Sequence, residues 1–318
     1  MSGVGVLGGG AFGTALALSL ARDGRPIQMW VRNPEHAAQM QTDRENKARL
    51  AGFTLPENLS VTADLSQLTA ETLLLAVPVQ SIGAFLAQNA ALFQGKTLVS
   101  ASKGIDLNSG RGPVDLIMDQ GIKAAVISGP SFAVDIAAGL PTAMTLAAED
   151  EASAGALQEQ LSTDALRIYR STDRAGVALG GALKNVMALA AGMAIGAGLG
   201  ESARAALLTR GYAEMARFAV AHGADAETMA GLAGFGDLVL SCTSAKSRNY
   251  SYGLGLARAS ALPTATVEGV VTAKAVSNIA KNRDIEMPIA RAVAAVLDQK
   301  LTIPEAMEAL LSRPLTKE

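Results

Sequence analysis

An apolar run, Gly3-Val4-Gly5-Val6-Leu7, leads directly into Gly8-Gly9-Gly10-Ala11-Phe12-Gly13 and then into the helical pattern TALALSLAR. No other stretch of the 318 residues limits the fold as tightly. Gly8, Gly10 and Gly13 fill a G-x-G-x-x-G spacing. Between a strand and a helix, the first glycine permits a tight turn and the second lets backbone approach an anion. The third lets the helix pack close to the strand. The helix start then presents unpaired N–H groups and the positive end of its dipole to a phosphate. A structural turn has the same glycines, so the flanks decide, and both flanks fit. The segment predicts a dinucleotide site.

The pattern continues as an α/β doubly wound domain. Apolar runs at 27–31, 72–77, 97–101, 124–128, 142–147 and 165–169 read as strands, with helical patterns such as AFGTALALSLAR and SIGAFLAQNAALF between them. Several runs are continuous, as in a parallel sheet covered on both faces. From Asp173 the strand pattern stops, and 3.6-residue periodicity covers 175–196, 202–222, 252–260, 268–281, 288–299 and 304–312. Pro304 is expected at the first position of the last helix. The reading is a Rossmann-type domain over 1–172 and an all-helical substrate-binding domain over 173–318.

A net charge of −2 argues against nucleic acid as the main partner, while leaving room for local phosphate sites. One cysteine, Cys242, precludes an internal disulfide and fits a reducing cytoplasm; without a nearby histidine it reads as an inert packed thiol. Two histidines, His36 and His222, leave little for a metal site, and none is expected. No basic region precedes the first apolar run, so no signal peptide is expected. The glycine-rich segment 175–200 is the one membrane candidate, and Lys184-Asn185 interrupts it; a buried core helix of a soluble protein is the expectation.

Lys184 is the only charge between Arg174 and Glu201. On a helix its neighbours are Gly180, Gly181, Met187 and Ala188, small enough to leave room for an approaching group. A buried ammonium needs an anionic neighbour or a lowered pKa, and the second makes a general base. A structural ion pair stays open as the plain alternative. Strand 27–31 ends at Arg32-Asn33 with no acid before Glu35, so nothing there favours a ribose 2′-OH. Arg32 suits a 2′-phosphate, or is a solvated loop residue. Ser102-Lys103-Gly104 and Gly129-Pro130-Ser131-Phe132-Ala133 follow strands at the ligand-binding side of such sheets, and Lys103 can bind phosphate or polarise a carbonyl. Gly231–Asp237 reads as a flexible turn delivering a carboxylate able to orient a lysine or a substrate hydroxyl. Arg248 and Asn249 can hold a phosphate.

The segments GGGAFGTALA (8–17), SKGI (102–105), GPSFA (129–133), GALKNVMALAAG (181–192), ARAALLTRGYAEM (203–215), GLAGFGDLVLSCT (231–243), SRN (247–249) and VEG (267–269) together resemble bacterial NAD(P)-dependent glycerol-3-phosphate dehydrogenase, in order over nearly the whole chain. The resemblance implies reversible reduction of dihydroxyacetone phosphate to sn-glycerol 3-phosphate with NADP(H) or NAD(H), feeding glycerophospholipid synthesis, in a cytoplasmic homodimer. It implies that Lys184 transfers the proton. Substrate positions fall on Lys103, Gly129, Ser131, Lys184, Asp237, Ser247, Arg248 and Asn249. Cofactor positions fall on Ala11, Phe12, Arg32, Lys103, Ala133, Arg248 and Glu268, beside Gly8, Gly10 and Gly13. Lys184, Lys103 and Asp237 form the implied catalytic set. Three departures bear on binding strength: Ala11 lacks the hydroxyl common there, Asp135 replaces a common Glu, and Tyr250 stands where a basic residue is usual. The alternatives are another β-hydroxyacid or ketopantoate-type reductase, disfavoured by GDLVLSCT and SRN, and a redox-sensing protein that holds NAD(P) without turnover.

Overall fold

A computed structural model describes residues 3–260, 262 and 266–312. Eight strands form one sheet in the order β10-β9-β8-β7-β6-β1-β2-β5. They are β1 (Val4–Leu7), β2 (Ile27–Trp30), β5 (Leu59–Thr62), β6 (Thr72–Leu75), β7 (Thr97–Ser100), β8 (Lys123–Ser128), β9 (Thr142–Ala147) and β10 (Leu166–Ser171). The continuous apolar runs follow from burial on both faces. Val4, Val6, Leu74, Val99 and Ile127 pack on one side with α1 (Ala11–Ala21) and α6 (Glu151–Leu161). Leu7, Leu73, Leu75, Leu98 and Val126 pack on the other with α3 (Val79–Phe93) and α4 (Pro113–Met118).

β1 pairs in parallel with both β2 and β6, so the strand order reverses beside it. That reversal is where sheets of this kind open a ligand crevice at their strand C-termini. The glycine turn after β1, Lys103 after β7 and Gly129 after β8 therefore share one edge. The sheet is not wholly parallel: β8 and β9 are antiparallel, because the chain returns from β8 through the short helix α5 (Ala133–Ala137) without a full crossover. Two further pieces carried no expectation. Edge strand β5 has a half-buried alternation too short to stand out, and β3 (Glu45–Asn46) with β4 (Leu50–Thr54) forms a small antiparallel ribbon after α2 (Pro34–Asp43).

After Ser171 the described residues are helical: α7 (Arg174–Gly196), α8 (Gly200–Val220), α9 (Ala226–Ala230), α10 (Asp237–Thr243), α11 (Arg248–Ala257), α12 (Glu268–Asn282), α13 (Pro288–Leu297) and α14 (Ile303–Leu311). α7 is the central shaft, long and apolar enough to cross a membrane, but 83% of its most apolar window is buried inside the protein. Its glycines serve helix contact. A Cβ at Gly192 would lie 2.0 Å from the Tyr250 carbonyl oxygen, and one at Gly253 would lie 2.1 Å from that of Leu189, so α7 and α11 touch backbone to backbone. α11 starts at Arg248, a turn before the periodicity at 252, because Ser247 caps it. In α14 Pro304 is second, after Ile303; Thr302 caps the helix in a reciprocal pair with Glu305.

Candidate active site

The glycine turn has the close contacts its spacing demands. Gly8 sits at φ +126°, where a Cβ would lie 2.4 Å from the Ala76 carbonyl oxygen. A Cβ at Gly13 would lie 2.3 Å from the Gly8 carbonyl oxygen. Gly10, which precedes α1 without a side-chain cap, faces open space. Ala11 and Phe12 begin α1, half-buried. This cradle, closed behind and open in front, fits a pyrophosphate on the N–H groups of the first helical turn. Arg32 is exposed at the end of β2, next to Asn33, which caps α2.

Three charged residues from three distant segments meet at the strand C-termini. Lys184 Nζ on α7 donates to Asp237 Oδ1 at 2.9 Å and to Ser241 Oγ at 2.6 Å. Lys103 Nζ donates to Asp237 Oδ2 at 2.6 Å and to the Gly129 carbonyl oxygen at 3.1 Å. Asp237 is 1% exposed and bridges both ammoniums. Burial alone would raise its pKa, but the Lys103 and Lys184 charges outweigh it and hold the carboxyl below its usual range. Burial draws Lys103 down from 10.5 to about 8; Lys184 adds to the fall and Asp237 opposes it. Asp237 is the anionic neighbour of Lys184. Each ammonium has three N–H groups and uses two here, so each keeps one for a ligand.

The Gly231–Asp237 segment is not the flexible turn that its glycines suggested. Leu232–Gly236 form a π-helical turn, buried at Ala233 and Gly234 and packed against Met229, and Asp237 is the first residue of α10. Nor do Gly180 and Gly181 leave room beside Lys184. The Ala233 carbonyl oxygen and Ser128 Oγ fill that space, at 2.6 and 2.4 Å from where a Cβ would stand. The glycines thus let the π-turn and the end of β8 press against α7. Ser241, four residues after Asp237 on α10, completes the Lys184 contacts and was not singled out. An Asp–Ser i,i+4 spacing is its signal, but only once the segment is known to be helical.

Other candidate residues line the same region. Gly129, at φ +154°, accepts from Ser131 Oγ at 2.9 Å, and Ala133 opens α5. Phe12 lies with its ring centroid 5.7 Å from Lys103 Nζ. Ser247 Oγ accepts from the Tyr250 N–H as the cap of α11, and Arg248 follows, exposed at the helix start. Asn249 Nδ2 donates to Asn185 Oδ1 at 2.8 Å, and its Oδ1 accepts from the Gly269 N–H at 2.9 Å, so it ties α7 to α12. Glu268 opens α12; burial pushes its carboxyl up, opposed by Arg248. Cys242 is buried, its thiol pushed up to about 12. No cluster suited to a metal ion occurs among the described residues.

Residues 3–154 match the family model for the N-terminus of NAD-dependent glycerol-3-phosphate dehydrogenase, and 173–308 match that for its C-terminus. The chain is 54% identical to glycerol-3-phosphate dehydrogenase [NAD(P)+] of a Ruegeria species, with 99% of each chain covered. It is 54% identical to the Cereibacter sphaeroides enzyme of the same name, covering 99% of this chain and 100% of that one. Among solved structures, Coxiella burnetii glycerol-3-phosphate dehydrogenase superposes with a TM-score of 0.93 at 35% identity, covering 98% of this chain and 99% of that one. A ketopantoate reductase from Ralstonia eutropha shares the fold alone, with a TM-score of 0.60 at 16% identity. The chain belongs to the NAD-dependent glycerol-3-phosphate dehydrogenase family.

Proposed function

We propose that this protein reversibly reduces dihydroxyacetone phosphate to sn-glycerol 3-phosphate with NADPH or NADH. The observation that carries the reading is the Lys184–Asp237–Lys103 bridge at the sheet edge that also holds the glycine turn. Gly8, Gly10 and Gly13, with Ala11 and Phe12, would hold the dinucleotide pyrophosphate, and Arg32 its 2′-phosphate. Lys103, Ala133, Arg248 and Glu268 would border the rest. The bound dinucleotide supplies or accepts the hydride at substrate C2.

The chain's own residues then handle the proton and the charge. The free N–H of Lys184 donates to the C2 oxygen as it becomes an alkoxide, and in the reverse direction Lys184 takes that proton back. Asp237 and Ser241 fix the direction of the ammonium. Lys103, together with Gly129 and Ser131, places a second positive charge where negative charge develops. Arg248, at the start of α11 behind the Ser247 cap, adds charge and a helix N-terminus for the phosphate, with Asn249 beside it. We propose the sheet-bearing 1–172 as the cofactor domain and 173–318 as the substrate domain, in a soluble cytoplasmic homodimer that supplies glycerophospholipid synthesis.

The test is NADPH oxidation with dihydroxyacetone phosphate, ketopantoate and unphosphorylated dihydroxyacetone in parallel. The phosphorylated ketone is expected to react fastest. Turnover of ketopantoate alone would overturn the assignment, and binding of NADPH with no turnover of any substrate would favour a sensor.

A further inference from the structure

The dinucleotide turn is gripped from behind by a residue of the small β3–β4 ribbon. Asn46 is fully buried. Its Nδ2 donates to the Gly9 carbonyl oxygen at 3.0 Å and to Thr14 Oγ1 at 2.8 Å. Its Oδ1 lies 2.9 Å from His36 Nε2 on α2. The Gly9 carbonyl can only accept, so the amide orientation is fixed, and His36 Nε2 must carry the proton. The backbone N–H of His36 in turn donates to the Asn33 side chain that caps α2.

The Gly9–Gly10 peptide needs such a grip. Its orientation depends on ψ of Gly9 and φ of Gly10, and neither residue has a Cβ to resist rotation. In a trans peptide the C=O and the next N–H point to opposite sides. Holding the Gly9 carbonyl toward buried Asn46 therefore turns the Gly10 N–H outward, to the open face at the start of α1. A flipped peptide would put a carbonyl oxygen there instead, against a phosphate. We propose that Asn46 is a positioning residue for dinucleotide binding: it locks the Gly9–Gly10 peptide with its N–H toward the pyrophosphate, and His36 holds Asn46 in place. The lock acts on the part common to NADPH and NADH. The inference rests on the dinucleotide reading of this turn.

The test is equilibrium titration of the full-length protein with NADPH and with NADH, followed by nicotinamide fluorescence, alongside kcat at saturating cofactor and thermal melting. The three side-chain hydrogen bonds lost in Asn46→Ala should raise Kd about tenfold for both cofactors alike. The loss should appear in affinity rather than in kcat. Asn46→Asp keeps the acceptor for His36 but no donor for Gly9, and should weaken binding as much. His36→Gln, which can still donate at similar reach, should bind more tightly than His36→Leu. If Asn46→Ala does not fold, the half-buried His36 pair carries the comparison. A lower melting temperature with unchanged Kd would make Asn46 merely structural and overturn the proposal. So would a loss confined to NADPH, which would place the effect at the 2′ end. Wild-type protein that binds neither cofactor would refute the dinucleotide reading itself.

Discussion

Lys103→Met separates what the lysine pair costs from what it does. Asp237 carries one negative charge between two ammoniums, so the trio, with Lys184 and Asp237 buried and Lys103 partly so, holds a net positive charge. Replacing Lys103 leaves the neutral Lys184–Asp237 pair intact, whereas Asp237→Asn strands two cations and should cost about 3–5 kcal/mol. The folded-state pKa of Lys103, about 8, lies below its ordinary 10.5. The unfolded chain therefore binds more protons between those values, and wild-type stability gains from this group as pH rises from 8 to 10.5. Below pH 8 both states are protonated and the full penalty is present. The gap corresponds to about 3 kcal/mol. Urea unfolding of wild type and Lys103→Met at pH 7, 8, 9 and 10.5 should show their stability difference moving by about that amount, in the wild type's favour as pH rises. Turnover of the variant should fall about 10²–10³-fold, the usual loss for one group stabilising a developing oxyanion. A stability difference that does not change with pH would refute the reasoning, because Lys103 would then titrate alike in both states.

Lys184→Met should lower kcat by about 10²–10⁴-fold while leaving NADPH affinity nearly unchanged; retention of a tenth of wild-type turnover in a stopped-flow assay would remove it from the proton step. Arg248→Ala should raise KM for dihydroxyacetone phosphate by about one to two orders of magnitude, the worth of a charge-assisted hydrogen bond, and affect unphosphorylated dihydroxyacetone much less. Equal losses on both substrates would make Arg248 structural. Arg32→Asp should lower the ratio of kcat/KM for NADPH over NADH, by repelling the 2′-phosphate and accepting from the 2′-OH; an unmoved ratio would mean that Arg32 points to solvent.

The sheet was legible in the sequence because burial on both faces leaves unbroken apolar runs, and β1, β6, β7 and β8 sit where those runs lie. β5 and the β3–β4 ribbon left no such trace. One is a half-buried edge, and the other is held by Asn46 hydrogen bonds that no hydrophobic period records. The reversal of β9 was hidden for another reason: strand direction depends on the path of the connection, not on the strand's composition. At the site, Lys184 stood out through its isolation and Asp237 as a carboxylate able to orient a lysine, but the helical setting of Asp237 did not. Asp237 reads as a loop acid because Gly231, Gly234 and Gly236 look like turn residues. Gly234 is instead there because Met229 leaves no space for a Cβ.

The same ambiguity of glycine explains why the site needs the whole chain. Lys103 belongs to the sheet, Lys184 to α7 and Asp237 to α10, and nothing local holds the three together. What brings them within hydrogen-bonding distance is close backbone packing: Ser128 at the end of β8 against Gly181, and the π-turn against Gly180. Both contacts fall within about one helical turn of Lys184, so α7 is indexed to the sheet and to α10 beside the Lys184–Asp237 pair. A side chain at Gly181 would push β8 away from α7 and carry Gly129 with it, loosening Lys103 from one of its two acceptors. The small residues around Lys184 therefore bear on the proposed chemistry, although no substrate need touch them: they set the distance between the proposed base on one element and a charge on another.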